Sequence, residues 1–404
     1  MRRVTTHRYL WIPLLIYGVP NLLALAGAWW LDLLVVDLVP IPLTASASTF
    51  AAVLLALLFS LVFLTLCIVA GSGHFRAEPL VRTPPPIIGQ LVFILKLITI
   101  GALIYSGYGR AGYRPDSADA FSIIASYTKS DLFFILYYGH VRAKRFPIIN
   151  LALYVAGNTI RGWSGMWLIL LLIEAYYVVA RVDRGLPLKK LAAFALAGLL
   201  LFPFANTVRH VMRGSDAAPP TYVDSYFVLV NRLQHATNVM LIAQQARELT
   251  ADYEASRIRP WILHGAALPI VKWFGSDGDA LDTYITKNYL IETSDTDVDS
   301  FWYTNVGLAG WLFIVPWYEV PLYLAYIAVL IIAPYWLIGR HIGARSVLPV
   351  LHVASFVYVL HGWLEVQVTF LVCAAIYVAA VRLLRNSRPR ASKPTPTVLA
   401  NGVR

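Results

Sequence analysis

The chain has 404 residues, 58% of them hydrophobic and only 14% charged, with a mean hydropathy of +0.64. Soluble domains carry about 25% charged residues, so this composition excludes an ordinary soluble globule and an intrinsically disordered chain alike. It is the composition of a polytopic membrane protein, and the net charge of +11 is read as basic loops on one membrane face rather than a nucleic-acid signal.

Ten apolar runs of membrane-crossing character follow one another at roughly 9–31, 50–70, 87–105, 121–139, 146–160, 163–180, 191–208, 306–338, 346–362 and 364–381. The expected fold class is an all-α, polytopic membrane protein with about 10 transmembrane helices and a large outer loop. The start, Met1-Arg2-Arg3 followed by an apolar run, resembles a signal peptide, but its length and the spans after it favour a first transmembrane helix. The fourth run is polar for a span, with Lys129 and Asp131. The eighth is too long for one straight span, and its first half, with Pro316, Glu319 and Pro321, is expected to bend or re-enter.

With both termini inside, the inner segments hold 20 of the 33 Lys+Arg and two acids, Glu78 and Asp183. The short outer loops hold three cations, Arg110, Arg114 and Arg161. That asymmetry sets the orientation. The expected organisation is an N-terminal bundle over 1–208 of about seven helices, an outer loop over 209–305, about three more helices over 306–381, and a basic, disordered inner tail over 382–404. The loop has 8 Lys+Arg against 12 Asp+Glu, and at about 97 residues it is too long for a connector. Within it, 222–248 reads as one amphipathic helix and 258–305 as irregular chain rich in aromatics.

Four outer-face clusters carry candidate chemistry. The turn Asn158-Thr159-Ile160-Arg161-Gly162-Trp163-Ser164-Gly165 holds Arg161 at a membrane boundary. There it either grips a phosphate bidentately or snorkels to the headgroups. Arg209 and Arg213 are four residues apart as the seventh run leaves the membrane, beside His210, and suit an anion or serve as an interfacial anchor. Arg232 and His235 are three apart on the expected amphipathic helix. His235 is a candidate base and Arg232 would hold an anionic leaving group; a solvated polar face is the plain alternative. Finally Arg259 and His264, then Asp295, Asp297, Asp299 and Tyr303, line the end of the loop and suit sugar hydroxyls or a merely solvated acidic surface. The alternating aspartates fail the calcium-loop pattern at Ser300. Intramembrane Lys96, Lys129, Asp131, Glu174 and Glu319 raise the possibility of an ion path, Glu174 needing a partner from the bundle. Cys67 and Cys373 both lie in apolar runs, so no disulfide or cysteine metal site is expected. No phosphate-binding loop, dinucleotide fingerprint, zinc motif or nucleophile elbow occurs, so no metal and no cofactor is expected.

In order and topology these motifs resemble the Wzy-type oligosaccharide repeat-unit polymerases, which are related to the O-antigen ligases. The resemblance covers about 88–380. Its carriers are Arg161-Gly162-Trp163-Ser164-Gly165, Arg213-Gly214, Arg232, and Tyr303-Thr304-Asn305-Val306-Gly307-Leu308-Ala309-Gly310 leading into a span, where Val306 departs from the family's aromatic. The resemblance implies a GT-C-like glycosyltransferase of the bacterial inner membrane. Its substrate would be an undecaprenyl-pyrophosphate-linked oligosaccharide, polymerised at the periplasmic face without metal or nucleotide. It implies membrane lipids and a chain-length regulator as partners and no nucleic acid. In that scheme Arg161, Arg209 and Arg213 face the pyrophosphate and Arg232 with His235 serves catalysis. His210, His264 and Asp297 are reserve bases, and Arg259, His264, Asp297 and Tyr303 touch glycan. The alternatives are an O-antigen ligase and, from another class, a secondary transporter; no internal repeat supports the transporter.

Overall fold

The computed structural model describes residues 12, 14–36, 39–75, 80–81, 83–107, 129–142, 148–163, 165–181, 188–212, 219–264, 278–291, 304, 306–343 and 345–386, and these are mostly helical. Six helices among them are long and apolar enough to cross a membrane. They are α1 (Leu14–Leu31, opened by a π turn), α2 (Ala47–Ser72), α3 (Pro86–Ser106), α7 (Leu188–Met212), α13 (Val320–His341) and α15 (Leu364–Asn386). Among the described residues, three shorter helices lie between α3 and α7: α4 (Ser130–Val141), α5 (Ile148–Ile160) and α6 (Gly165–Arg181). A thirteen-residue helix such as α5 reaches about 20 Å against a hydrocarbon core of about 30 Å. The protein is thus a helical membrane protein, and four of the ten expected spans carry helices shorter than a straight crossing needs.

Local chemistry sets several boundaries. Ser46 caps α2 by accepting a hydrogen bond from the Thr49 amide at 3.2 Å. Pro86 opens α3, and Gly107, at φ 68°, closes it with its N–H on the Leu103 carbonyl. The fourth run starts its helix only at Ser130, because Lys129 sits in the left-handed region as the preceding cap; residues 121–128 fall outside the described set. The helix after the last run continues past 381 to Asn386, and the tail beyond it lies outside the described residues.

The core is built by α2, α13, α15 and α14 (Leu348–Ser355, prolonged by a π turn at Phe356–Leu360), with α4 against α15 and α14. Close helix approach comes from small residues, since no hydrophobic drive separates helix from lipid. A Cβ on Gly71 would stand 2.8 Å from the Tyr335 ring, so α2 and α13 meet backbone to ring. Gln367 adds a polar tie, donating from α15 to the Leu330 carbonyl of α13 at 2.8 Å. Helix α7 is peripheral, with Leu196, Leu200, Leu201 and Phe204 more than half exposed, as lipid-facing residues should be.

The fold is helical as expected, with one small addition, an antiparallel ribbon of β1 (Leu33–Val36) and β2 (Val39–Pro42) that packs against α1 and the loop helix over 236–244. One expectation is corrected. The single amphipathic helix over 222–248 is three helices: α8 (Tyr222–Leu233), α9 (Ala236–Gln244) and α10 (Ala246–Glu254). Helix α8 is amphipathic and opens with a Thr221–Asp224 capping box. At Gln234 the backbone turns extended (ψ 154°), and its side chain accepts from the Thr237 amide to start α9. Helix α9 is buried over Ala236–Ile242, against α1, α2, β1 and the short α12 (Gly307–Trp311). Periodicity across 222–248 therefore joined two helices with different partners.

The long eighth run does bend. Helix α12 is wholly buried, turns follow, and α13 begins at Val320.

Candidate functional site

Helix α5 ends at Ile160, and the turn after it is pinned by Trp163 N–H on the Asn158 carbonyl at 3.0 Å, with Gly162 at φ 73°. This aims Arg161 at α4. Its Nη1 meets Asp131 Oδ2 at 2.7 Å, while the same carboxylate takes Lys96 Nζ from α3 and Asn158 Nδ2 at 2.7 Å. Lys96 lies over the Tyr154 ring, 4.9 Å from its centre, and is buried. Two cations surround one carboxylate, so the cluster carries one excess positive charge. Arg161 remains about a quarter exposed, and its Nε has no hydrogen-bond partner. The guanidinium is therefore held on one side and open on another, a geometry suited to an oxyanion.

The other intramembrane charges do not join this cluster. Glu174 finds the partner it needed in Arg142, bidentate at 2.8 and 2.9 Å, with Tyr138 donating to it as well. Asp131 and Tyr138 are seven residues apart on α4, about 10 Å along the axis. Glu319 precedes α13 and accepts from Tyr253 at 3.0 Å and Trp261 at 2.8 Å. Among the described residues these acids form separate pairs rather than a continuous ion path.

A second group centres on His235, between α8 and α9. Its amide donates to Asn21 Oδ1 at 2.7 Å, and its ring, 1% exposed, lies 6.3 Å from that of His361. Tyr17 meets His361 edge-on at 5.6 Å. Gly307 (φ 64°) packs directly on the His235 ring and the Leu360 carbonyl, and Gly362 (φ 82°) packs on Gly307. The break at His235 corrects the expectation that Arg232 and His235 share a helix face. Arg232 lies in the last turn of α8, which ends at Leu233, whereas His235 is the residue before α9.

The tripeptide His361-Gly362-Trp363 joins the two groups. Trp363 lies 6.1 Å from Trp163 beside Arg161, His361 faces His235, and Gly362 abuts Gly307. Three motifs far apart in the chain, around 161, 235 and 307, thereby converge on one turn. Sequence reasoning missed His361, Lys96 and Asp131 as members. The available signal for His361 was a His-Gly-Trp break between two abutting apolar runs.

Arg209 sits in the last turn of α7, next to His210 and half-buried, and α7 is tied to α8 through Asn206 and Ser225 at 3.0 Å. Arg213, Asp297 and Tyr303 lie outside the described residues. Arg259 is half-buried, its N–H on the Asp279 carbonyl at 2.8 Å. His264 is buried against Trp311, ring centres 5.3 Å apart. Arg259 and His264 are thus placed away from the Arg161–His235 convergence. Burial holds the His264 imidazole below its usual value of about 6.5; Arg259 acts in the same direction and Asp282 and Glu365 oppose it. Below about pH 6.5 the unfolded chain therefore takes up a proton that the folded one does not. Stability in detergent is expected to fall as pH drops through that window towards the depressed native value. Thermal unfolding at pH 7.5 and 5.5 should show a shallower dependence for His264→Phe.

Compared with protein-family profiles, curated proteins and solved structures, the chain matches none.

Proposed function

We propose that the protein is a metal-independent glycosyltransferase of the bacterial inner membrane. In this reading about ten segments cross or enter the bilayer in a GT-C-like arrangement, both termini are cytoplasmic, and the convergent turn faces the periplasm. The enzyme polymerises repeat units carried on undecaprenyl pyrophosphate. The observation that supports this best is the meeting of the open side of Arg161, in a cluster with one excess positive charge, with the His235–His361 pair through a single tripeptide.

In the proposed step an acceptor hydroxyl oxygen attacks the anomeric carbon of the lipid-linked growing chain. The bond from that carbon to the pyrophosphate oxygen breaks, and its electrons leave with the pyrophosphate. The hydroxyl proton passes to His235. Arg161, helped by Arg209, Arg213 and Arg232, stabilises charge developing on the leaving group. His235 is buried in the wall of the turn, so the turn has to open for the acceptor to reach it. The exposed apolar faces of α7 and α8 leave room for the lipid tail on the bilayer side.

Arg161→Ala and His235→Ala are each expected to cut polymer formation from purified lipid-linked repeat units by about a hundredfold or more. Arg161→Lys should recover part of the loss only, since a point charge replaces a bidentate fork. Unchanged long chains in a polymerase-deficient strain carrying either alanine variant would sink the reading. Deletion of the protein should leave single repeat units on the carrier; polymer accumulating on the carrier would instead identify a ligase.

A further inference from the structure

Away from the Arg161–His235 convergence, the end of α10 and the segment after it face the turn before α13. Between them lies an open cleft of about 420 Å³, within the usual size range of small-ligand sites. Its walls include Tyr253, Glu254, Trp261, Pro316, Tyr318 and Glu319. The aromatic rings are fixed in place: Glu319 Oε2 takes both the Tyr253 hydroxyl and the Trp261 indole N–H, and Trp261 packs 5.7 Å from Tyr323. One carboxylate thus preorganises two rings, and Glu254 is exposed at the rim. Among the described residues no cation lines the cleft.

Behind these rings lie buried polar atoms without hydrogen-bond partners: Trp311 Nε1, Tyr323 hydroxyl and His264 Nδ1. Trp311 and Tyr323 are 0% exposed and His264 is 7% exposed. Trp311 is 6.3 Å from the Tyr253 ring and 6.2 Å from the Tyr323 ring. None of these three residues lines the cleft, so a guest there is met by the walls alone: the Tyr253, Trp261 and Tyr318 rings and the Glu254 and Glu319 carboxylates. Flat apolar faces for sugar C–H groups, carboxylates for hydroxyl donors and the absence of cations are the chemistry of an uncharged saccharide. The same acids repel an acidic one.

We propose that this cleft is a saccharide subsite that prefers uncharged sugars over acidic ones. It would hold a part of the glycan away from the reacting bond. The inference rests on the polymerase reading for which chain is presented there, but its test needs no turnover.

The test is saturation-transfer NMR on the full-length protein in lipid nanodiscs. The probes are maltotriose, cellotriose and triacetylchitotriose as neutral sugars and trigalacturonate as the acidic one. At least one neutral probe is expected to bind, with trigalacturonate at least tenfold weaker. Tyr318→Ala should weaken the neutral probe at least fivefold, and Glu254→Gln should narrow the neutral-to-acidic gap; both residues are exposed enough to change without unfolding the protein. The proposal is overturned if no neutral probe binds, if the acidic probe binds as well, or if Tyr318→Ala leaves binding unchanged. It is also overturned if brominated lipids quench Trp317 and Trp261 strongly while saccharides protect neither, because the patch is then an aromatic membrane anchor. Loss of polymer in His235→Ala with saccharide binding intact would leave the inference standing. Saccharide binding lost with polymerisation intact would sink the inference alone.

Discussion

Asp131→Ala is expected to destabilise the protein by about 3–5 kcal/mol, the cost of stripping the partner from buried charge. The carboxylate is the shared counter-ion of Lys96, which is buried, and of Arg161. Removing it leaves two cations, one on α3 and one in the turn after α5, facing each other. Asp131→Asn preserves shape and loses the charge, so it should account for most of the loss; if it is silent, the cluster is not electrostatically held. The double variant Asp131→Leu with Lys96→Met should regain much of the stability, because Arg161 retains access to water while the deep lysine no longer needs a partner. Thermal unfolding in one detergent at one pH, with each single and the double variant, measures the coupling.

Gly307→Ala is expected to cost about 2–5 kcal/mol and to disable the convergent turn. At φ 64° an alanine carries about 1–2 kcal/mol of left-handed strain. Its Cβ would also press on the His235 ring and the Leu360 carbonyl, adding about 1–3 kcal/mol of overpacking. The neighbour that moves is the candidate base itself, so on the proposed glycosyltransferase reading polymer formation should fall even at temperatures where the variant remains folded. Gly27→Ala is the matched control: a Cβ there meets nothing within 4 Å, and it lies inside α1, so stability should hold or rise slightly. Equal effects of the two substitutions would remove Gly307 from the site.

Both predictions concern contacts that no local pattern displays. Apolar length locates helices because a bilayer demands roughly twenty apolar residues, and this logic recovers α2, α3, α7 and α15 to within about five residues at either end, whereas the eighth run, taken from 306, begins well before α13. It also flagged the bend in the eighth run from its length and its prolines. It went wrong over 222–248, where hydrophobic periodicity persists through Gln234 although the chain turns there. Side-chain capping by Gln234 and the Asn21 bond to the His235 amide decide that break, and Asn21 is more than two hundred residues away. The ribbon at Leu33–Pro42 falls between the first two runs, where four-residue strands are too short for a period of two to stand out.

The candidate site divides in the same way. Arg161 stood out by itself, because a cation interrupting an apolar run needs an anion or water. Its anion, Asp131, sits in another run, so whether the arginine serves a ligand, the bundle or both depends on helix packing. His361 carries no local signal stronger than the glycine beside it, and it gains meaning only when α14 brings it to His235.

By itself, then, the sequence determined that this is a helical membrane protein and marked which cations at the ends of its apolar runs warrant attention. Those are properties of transfer free energy and charge summed along the chain. Only the tertiary structure decided that Lys96 and Arg161 share one carboxylate, that Glu174 and Glu319 are already engaged, and that the turns at 161, 235, 307 and 362 meet. Such pairings rest on distances between segments up to two hundred residues apart, set by close packing around Gly307 and Gly362, and a one-dimensional pattern carries no record of them.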